Sequence, residues 1–572
     1  MSGTGDAGRA PTTTASPPIA APFGRFTHRQ VLTILTGLLL GMFLAALDQT
    51  IVASAIRTIG DDLHGLSVQA WVTTAYLITS TISTPLYGKL SDLYGRKQFF
   101  LLAISIFIVG SAASSFSTSM YMLAGFRAFQ GLGAGGLFSM SLAIIGDIVS
   151  PRERARYQGY FLAVFGTSSV LGPVIGGFFA GSGSILSIAG WRWVFLVNVP
   201  IGIAALVVVS YTLNLPHVRR EAHIDWFGSL NLIVCLVPIL VVAEQGQTWG
   251  WGSGPALLCY AIGLAGLLLF IVAEQRMGDA ALIPLRFFQN SVFSVCSGIS
   301  LVVGIAMFGG LSVLPLYLQI VKGASPTESG LLLLPLTGGL MVASIISGQL
   351  ISRTGHYKIF PVVGTALITA ALAVMHGIGA DTPLWQTGIY TAILGLGIGN
   401  VMQPITLATQ NAMPPKDIGV ATSASTFFRQ MGGTLGTAGF LSVLFSTVGS
   451  NIRTAFVAAA RTRPFQAALH DPAVRSNPAN APILSLIRGA GRVSTSTLND
   501  TSFLKHADRR LAEPFFVGFS QSMDMVFIAA AGIMLLGFGL VLRLRELPLR
   551  TVSGLQAQQA YVAPAHAEAV SS

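Results

Sequence analysis

A single carboxylate, Asp48, stands inside the apolar run GMFLAALDQTIVAS (residues 41–54). If this run crosses a bilayer, an ionised carboxylate there costs about 3 kcal/mol on insertion scales, so it needs a partner or a role. Arg127, in LAGFRAFQGLGAGG (residues 123–136), is a second charge inside another apolar run. A carboxylate near a guanidinium can change its proton affinity with conformation, which is what proton coupling requires.

We therefore predict that Asp48 and Arg127 form a proton-coupling site. Counted from the outer ends of their predicted helices, both residues lie roughly 10 to 12 Å deep and can face one cavity. The alternative is a static buried ion pair that fixes the register of the helices.

Charged residues also gather at a turn within GKLSDLYGRK (residues 88–97). This turn bends at Gly95 and carries an acid followed by a basic pair, and more charges end the fourth apolar run. Together they could lock one side of the protein in one state and release it in another. An ordinary basic turn is the alternative. The charged candidates for this gate are Asp92, Arg96, Lys97, Asp147 and Arg152.

Small residues recur every four positions in GTSSVLGPVIGG (residues 166–177), at Ser168, Gly172 and Gly176. This spacing lines one helix face with small side chains and permits close backbone approach, while Pro173 introduces a bend. Plain helix packing would explain the same pattern.

Later in the chain, the clearest deep charge is Arg429, in FFRQMGG (residues 427–433). Arg429 marks a possible functional site in the second half of the chain. Glu244, Glu274 and Asp524 fall at the ends of apolar runs, where capping or snorkelling explains them.

The composition identifies a membrane protein. Of 572 residues, 52% are hydrophobic and only 10% are charged, against roughly 25% charged in soluble domains. About fourteen runs could cross the roughly 30 Å bilayer core. They lie near residues 31–56, 69–89, 98–117, 120–148, 157–180, 193–213, 226–244, 255–273, 291–318, 329–351, 359–378, 385–411, 419–448 and 522–543.

Arg and Lys concentrate in alternate short loops, which predicts that those loops and both termini are cytoplasmic. The loop at about 449–521 is Arg-rich yet predicted outside, as long loops translocate largely regardless of charge.

An internal repeat divides the chain. GKLSDLYGRK recurs as GQLISRTGHYK at an offset of 260, and glycine patterns further on recur at nearly the same offset. Parallel repeats of six helices are a transporter plan, so we predict an all-α integral membrane protein of two six-helix halves plus two inserted helices. The predicted parts are a disordered tail (1–29), an N-terminal bundle (30–215), the insertion (216–290), a C-terminal bundle (291–550) and a second tail (551–572).

These motifs, together with LDQTIVASAI and WRWVFLVNVPIG, resemble the signatures of the major facilitator superfamily, specifically its fourteen-helix drug/proton antiporter branch. The resemblance covers about residues 30–450 and the last helix. It implies an exporter that works by alternating access, with Asp48 as the protonatable acid and Arg127 as the helix 4 arginine. The matches to the cytoplasmic gate motif are Gly88, Asp92, Gly95, Arg96 and Lys97, and those to the antiporter motif are Gly172, Pro173 and Gly176.

Ser168 stands where relatives usually have glycine, and the second half lacks the membrane acids that some relatives use for cationic drugs. The substrate is therefore either a lipophilic cation served by Asp48 alone, or a neutral, zwitterionic or lipid-like molecule.

The expected function is efflux of hydrophobic or amphipathic small molecules across a bacterial plasma membrane, driven by a proton gradient without a cofactor. We expect a monomer with no bound metal. We expect no nucleic-acid partner, because the basic residues form no continuous patch. No P-loop, metalloprotease motif or nucleophile elbow indicates an enzyme. The alternatives are a lipid or metabolite exporter and a membrane sensor that does not transport.

Overall fold

The computed structural model describes residues 27–64, 70–214, 225–488 and 507–553, together with Leu504 and Gln556. The predicted tails lie almost entirely outside these ranges. The predicted all-α fold is confirmed, because every expected span is a helix. The long helices are α1 (His28–Asp62), α2 (Ala70–Tyr94), α3 (Arg96–Ser115), α4 (Met120–Ile148), α5 (Pro151–Gly181), α6 (Asn198–Thr212), α7 (Trp226–Trp249), α8 (Gly254–Met277), α9 (Ser291–Leu316), α10 (Leu334–Thr354), α11 (Ile359–Met375), α12 (Leu384–Ala412), α13 (Ile418–Ala459) and α14 (Arg509–Leu542).

Within the described ranges, 12 helical segments are long and apolar enough to cross a membrane. The other two long helices do not meet this requirement of length and hydropathy, each for a different reason. Helix α11 is apolar but shorter, and α2 is rich in Thr and Ser. The polar face of α2 is buried against other helices, so tertiary packing compensates for its low hydropathy.

Local sequence sets the helix boundaries. The hydroxyls of Thr27, Ser119, Ser150 and Ser253 accept backbone N–H bonds at the first turns of α1, α4, α5 and α8, which satisfies donors that a helix start leaves free. Gly95 separates α2 from α3 with φ at 111°, a conformation that suits glycine.

Pairs of glycines bring helices together in both halves. A Cβ at Gly172 or Gly176 of α5 would collide with α1, and one at Gly432 or Gly436 of α13 would collide with the main chain of α9 around Ile305. The same packing therefore recurs about 260 residues apart, as the sequence repeat predicts.

The halves meet along two helix pairs, α5 with α10 and α2 with α13. Further contacts join α4 to α13 and α12 to α5. The inserted helices α7 and α8 pack on each other, and α7 also contacts α2 and α13. We call the end of the bundle that carries the turn at Gly95 the basic-loop end.

The long loop is shorter than predicted. Instead of an irregular segment at 449–521, α13 continues to Ala459 and α14 begins at Arg509. These extensions pack closely, since a Cβ at Gly518 would collide with the backbone of Ile452. The low hydropathy of these extensions gave no sign of a helix in the sequence. They are helical because they pack against each other. Between them lie the short helices Arg463–His470, Pro472–Ser476 and Ala481–Arg488.

Gly436→Ala should lower the stability of the bundle by about 1–3 kcal/mol, the usual range for overpacking, because the new methyl group has no room beside Ile305. Gly439→Ala on the same helix is the control, since its Cβ would meet open space and alanine favours a helix by up to about 1 kcal/mol. Melting of the two purified variants checks this, and equal melting temperatures would contradict it.

Candidate functional site

Asp48 of α1 and Arg127 of α4 form a buried ion pair, in which Arg127 Nη1 donates to Asp48 Oδ2. Their side chains are 0% and 1% exposed. The guanidinium carbon also lies 4.1 Å from the centre of the Tyr76 ring on α2, a distance at which the ring attracts a cation. Both charges are thus compensated inside the protein.

Two amides complete the surroundings of Asp48. Its Oδ1 accepts hydrogen bonds from Gln130 Nε2 at 3.0 Å and from Asn198 Nδ2 at 2.8 Å. Asn198 Nδ2 also donates to Ser111 Oγ at 3.0 Å. Hydrogen-bond donors therefore contact both oxygens of the carboxylate. A protonated carboxyl would need a different arrangement, because its hydroxyl must also donate.

The structure brings the two predicted residues together, yet it encloses them within the first half. The expectation that they face a cavity does not hold in this conformation. Sequence reasoning missed Gln130, although it lies three residues after Arg127 and so on the same helix face. It also missed Asn198, the amide within the apolar run of residues 191–202.

At the basic-loop end, Arg96 lies between two acids. It forms ion pairs with Asp92 and with Asp147, where Nε lies 2.8 Å from Oδ2. Its Nη1 donates to Ser91 Oγ at 2.6 Å. The other oxygen of Asp92 accepts the N–H of Val420 at 3.0 Å, in the first turn of α13, where the helix dipole favours an anion. This network ties the α2–α3 turn to the second half.

Gly88 allows this contact, because a Cβ there would collide with Ser423 of α13. Gly419 similarly leaves room for the Asp92 carboxylate and the Arg96 guanidinium. The glycines thus let α2 and α13 approach closely where the charges meet.

Two predicted gate residues lie outside the network. Lys97 donates to the Ser210 carbonyl and to Asn214 Oδ1, both at 2.6 Å. Arg152 donates to the carbonyls of Ser352 and Arg353 at 2.9 and 2.8 Å. Successive residues on a helix point about 100° apart, so Lys97 turns away from the acids that hold its neighbour. Arg152 instead caps the end of α10 across the halves.

Arg154 makes a second buried link across the halves. It donates to Gln410 Oε1 of α12 and to two main-chain carbonyls near the end of α4. Gln410 Nε2 in turn donates to the Leu142 carbonyl at 3.0 Å and to Thr422 Oγ1 of α13 at 2.9 Å. Helices α4, α5, α12 and α13 are therefore joined in one polar cluster.

The segment after α14 holds the α10–α11 turn. Glu546 Oε1 accepts the N–H groups of Tyr357 at 2.6 Å and Lys358 at 3.0 Å. Burial raises the pKa of Glu546, but the backbone N–H donors and His356 outweigh it and leave this pKa below its ordinary value. The carboxylate thus stays charged where it caps α11.

Helix α5 presents different residues to the two halves. Towards α1, the carbonyl of Ser168 accepts a hydrogen bond from Thr50 Oγ1 at 2.9 Å, and Gly172 packs against the same threonine. Towards the second half, Pro173 Cγ lies 3.2 Å from where a Cβ of Gly330 would stand. The predicted motif therefore combines close packing within one half with contact to the other.

Arg429 of α13 makes no hydrogen bond or ion pair with any residue in the described ranges. Its side chain is only partly buried. The structure therefore keeps it apart from both Asp48 and the charges at the basic-loop end.

Repeated helical halves, a buried ion pair in one half and polar links across the halves define a multi-pass membrane transporter. The chain belongs to the Major Facilitator Superfamily, whose family model matches residues 38–437. Members of this family are transporters, so the chain is not an enzyme.

Relatives and solved structures agree with this placement. The chain is 36% identical over 404 residues to "Multidrug transporter protein MdtP" of Bacillus subtilis, covering 70% of this chain and 73% of that protein. It is 37% identical over 327 residues to "Tetracycline resistance determinant" of Streptomyces rimosus, covering 57% and 93%. The fold matches the human organic anion transporter MFSD10 (TETRAN) with a TM-score of 0.57 at 15% identity, covering 89% and 99% of the chains.

Asp48→Asn should destabilise the protein by about 3–5 kcal/mol, because it leaves Arg127 buried without its counter-charge. The double variant with Arg127→Gln should recover much of this loss, since no unpaired charge remains. Thermal melting of the single and double variants checks this, with Asp61→Asn at an exposed position as control. Strictly additive losses would show that the two charges are not coupled.

Proposed function

We propose that the protein is a proton-coupled efflux transporter that exports hydrophobic or amphipathic small molecules across the plasma membrane by alternating access. The proton gradient is its energy source. The observation that carries this proposal is the buried Asp48 carboxylate, which donors from α4 and α6 surround on both oxygens. Relatives named as a multidrug transporter and a tetracycline resistance determinant support export as the direction.

Protonation of Asp48 would change the forces between helices. In its ionised form the carboxylate holds Arg127 and Gln130 of α4 and Asn198 of α6 against α1. A proton removes the charge, weakens the attraction for Arg127 and disturbs both amide bonds, so α1 can move relative to α4 and α6. Because the pair is enclosed in this conformation, the proton binds in a different conformation of the transport cycle, in which the site is open.

One proton moving down about 100 mV and one pH unit supplies about 2.3 and 1.4 kcal/mol, respectively. This amount drives a few-hundredfold gradient of a neutral substrate. A monovalent cation exchanged for one proton gains nothing from the voltage, so about tenfold remains.

We also propose that the basic-loop end is cytoplasmic and closed in this conformation. The positive-inside distribution of Arg and Lys supports the orientation. Closure is supported by three links across the halves, made by Asp92, Arg152 and Arg154. These links must break when the protein opens to the cytoplasm to load substrate.

Purified protein in proteoliposomes with an imposed pH gradient should move protons when substrate is added. Asp48→Asn should reduce this coupled flux at least tenfold, because an amide cannot take up the proton, whereas the exposed Asp61→Asn should retain it. Ethidium, tetracycline and a fluorescent phospholipid provide cationic, zwitterionic and lipid substrates. Undiminished coupled flux in Asp48→Asn would refute this role of the carboxylate.

Asp92→Asn should shift the conformational equilibrium about five- to thirtyfold towards the form open at the basic-loop end, because it removes a charged acceptor from Arg96 and from Val420 N–H. Spin labels at exposed Tyr94 and Pro414, in a variant without the native cysteines, should then lie further apart. Asp61→Asn is again the control. An unchanged distance distribution would show that Asp92 does not hold this end closed.

A further inference from the structure

The loop that follows the inserted helices contacts the turn between α12 and α13 at both of its ends. We call residues 278–290 the insert loop. Arg286 in this loop forms an ion pair with Asp417, in which Nη2 lies 3.0 Å from Oδ2. Asn290 Nδ2 donates to the carbonyl of Ala412, the last residue of α12, at 3.1 Å. The insert loop thus holds the turn that leads into α13.

Asp417 occupies the N-cap position of α13. The side chain of an N-cap aspartate ordinarily accepts the N–H of the second or third helical residue, and the third residue here is Val420. Asp417 makes no such bond, and its carboxylate pairs with Arg286. The Val420 N–H instead donates to Asp92 of α2, in the other half, at 3.0 Å. The link between the halves therefore uses a donor that a capping side chain would otherwise take.

We propose that Arg286 is a positioning residue for closure of the basic-loop end. By holding the Asp417 carboxylate, it keeps this acid from capping α13 and leaves the Val420 N–H to Asp92. Neither Arg286 nor Asp417 belongs to the first half, so their ion pair does not itself join the halves. It acts by deciding which of two carboxylates accepts one N–H.

The inserted helices fix the position of Arg286. Near the end of α8, the buried carboxylate of Glu274 accepts the N–H groups of Leu282 and Ile283 at 3.2 and 3.0 Å. Leu282, Ile283 and Phe287 share a buried hydrophobic cluster with side chains of α2, α7 and α13. The inserted pair thus gains a role that a plan of two six-helix halves does not provide, because it holds a charge beside the first turn of α13.

Asp417 also provides an alternative acceptor when the basic-loop end opens, and the inference therefore rests on the proposed opening of that end during transport. Separation of the halves takes Asp92 away from the Val420 N–H. A rotation of the backbone at Asp417, where ψ is 3° and not extended as in a capping residue, then brings its side chain to that N–H. The start of α13 keeps an acceptor in both conformations, and Arg286 favours the closed one.

Distance measurements on the full-length protein in nanodiscs test this assignment without substrate or a proton gradient. Spin labels at Gln98 of α3 and Thr354 of α10, both exposed at the basic-loop end, report opening in a variant without the native cysteines. Arg286→Met should raise the population of the longer distance about two- to thirtyfold, the range that one N-cap side chain provides. The matched control Arg276→Met, at an exposed position on α8, should leave the distribution unchanged.

Asp417→Ala separates this role from a purely structural one. It removes the competing acceptor, so alone or combined with Arg286→Met it should give the wild-type distribution. If Arg286 only braced the turn, Asp417→Ala would open the basic-loop end as Arg286→Met does, and the double variant would not recover. Either result would overturn the proposal. Arg286→Lys, which keeps the charge, should shift the population less than Arg286→Met. If Arg286→Met does not fold, Asp417→Ala alone still decides between the two roles.

Asp92→Asn distinguishes a failure of this inference from a failure of the proposed closure. A shift in Asp92→Asn without one in Arg286→Met would overturn only the role of Arg286. No shift in either variant would refute closure by Asp92 and the role of Arg286 with it. Loss or retention of proton coupling in Asp48→Asn affects neither measurement.

Discussion

A charge in the interior of a bilayer must find its partners within the protein, and the pairing of Asp48 with Arg127 meets this requirement in the first half. The carboxylate joins α1 to α4 through Arg127 and Gln130 and to α6 through Asn198. Tyr76 of α2 lies against the guanidinium. The arrangement of these helices therefore depends on one carboxylate, so a change in its charge acts on all of them.

Close packing at glycines joins helices within each half, whereas polar contacts join the two halves. Within each half, glycine pairs on α5 and α13 let these helices pack directly on α1 and α9. Between the halves, Asp92, Arg152 and Arg154 make polar links at the basic-loop end. Packing that excludes even a methyl group suits contacts that persist through a transport cycle, whereas hydrogen bonds across an interface suit contacts that break and re-form.

The two halves differ in whether the charges within their helices are neutralised by a partner. Asp48 and Arg127 neutralise each other inside the first half, whereas Arg429 has no counter-charge among the described residues of the second. The internal repeat therefore gives two halves of similar fold, of which only the first carries the proposed proton site.

The sequence by itself determined the helices, because an apolar run of sufficient length must become a helix in a bilayer, whatever its neighbours are. It also revealed the repeat, the family and the pair Asp48 and Arg127, since a charge in an apolar run is conspicuous. Only the tertiary structure decided the partners, because Asn198 lies 150 residues from Asp48 along the chain. It likewise separated Lys97 and Arg152 from Arg96, and it extended α13 and α14 beyond their apolar runs. Side-chain direction and contact between distant helices decide these features, and local composition does not encode them.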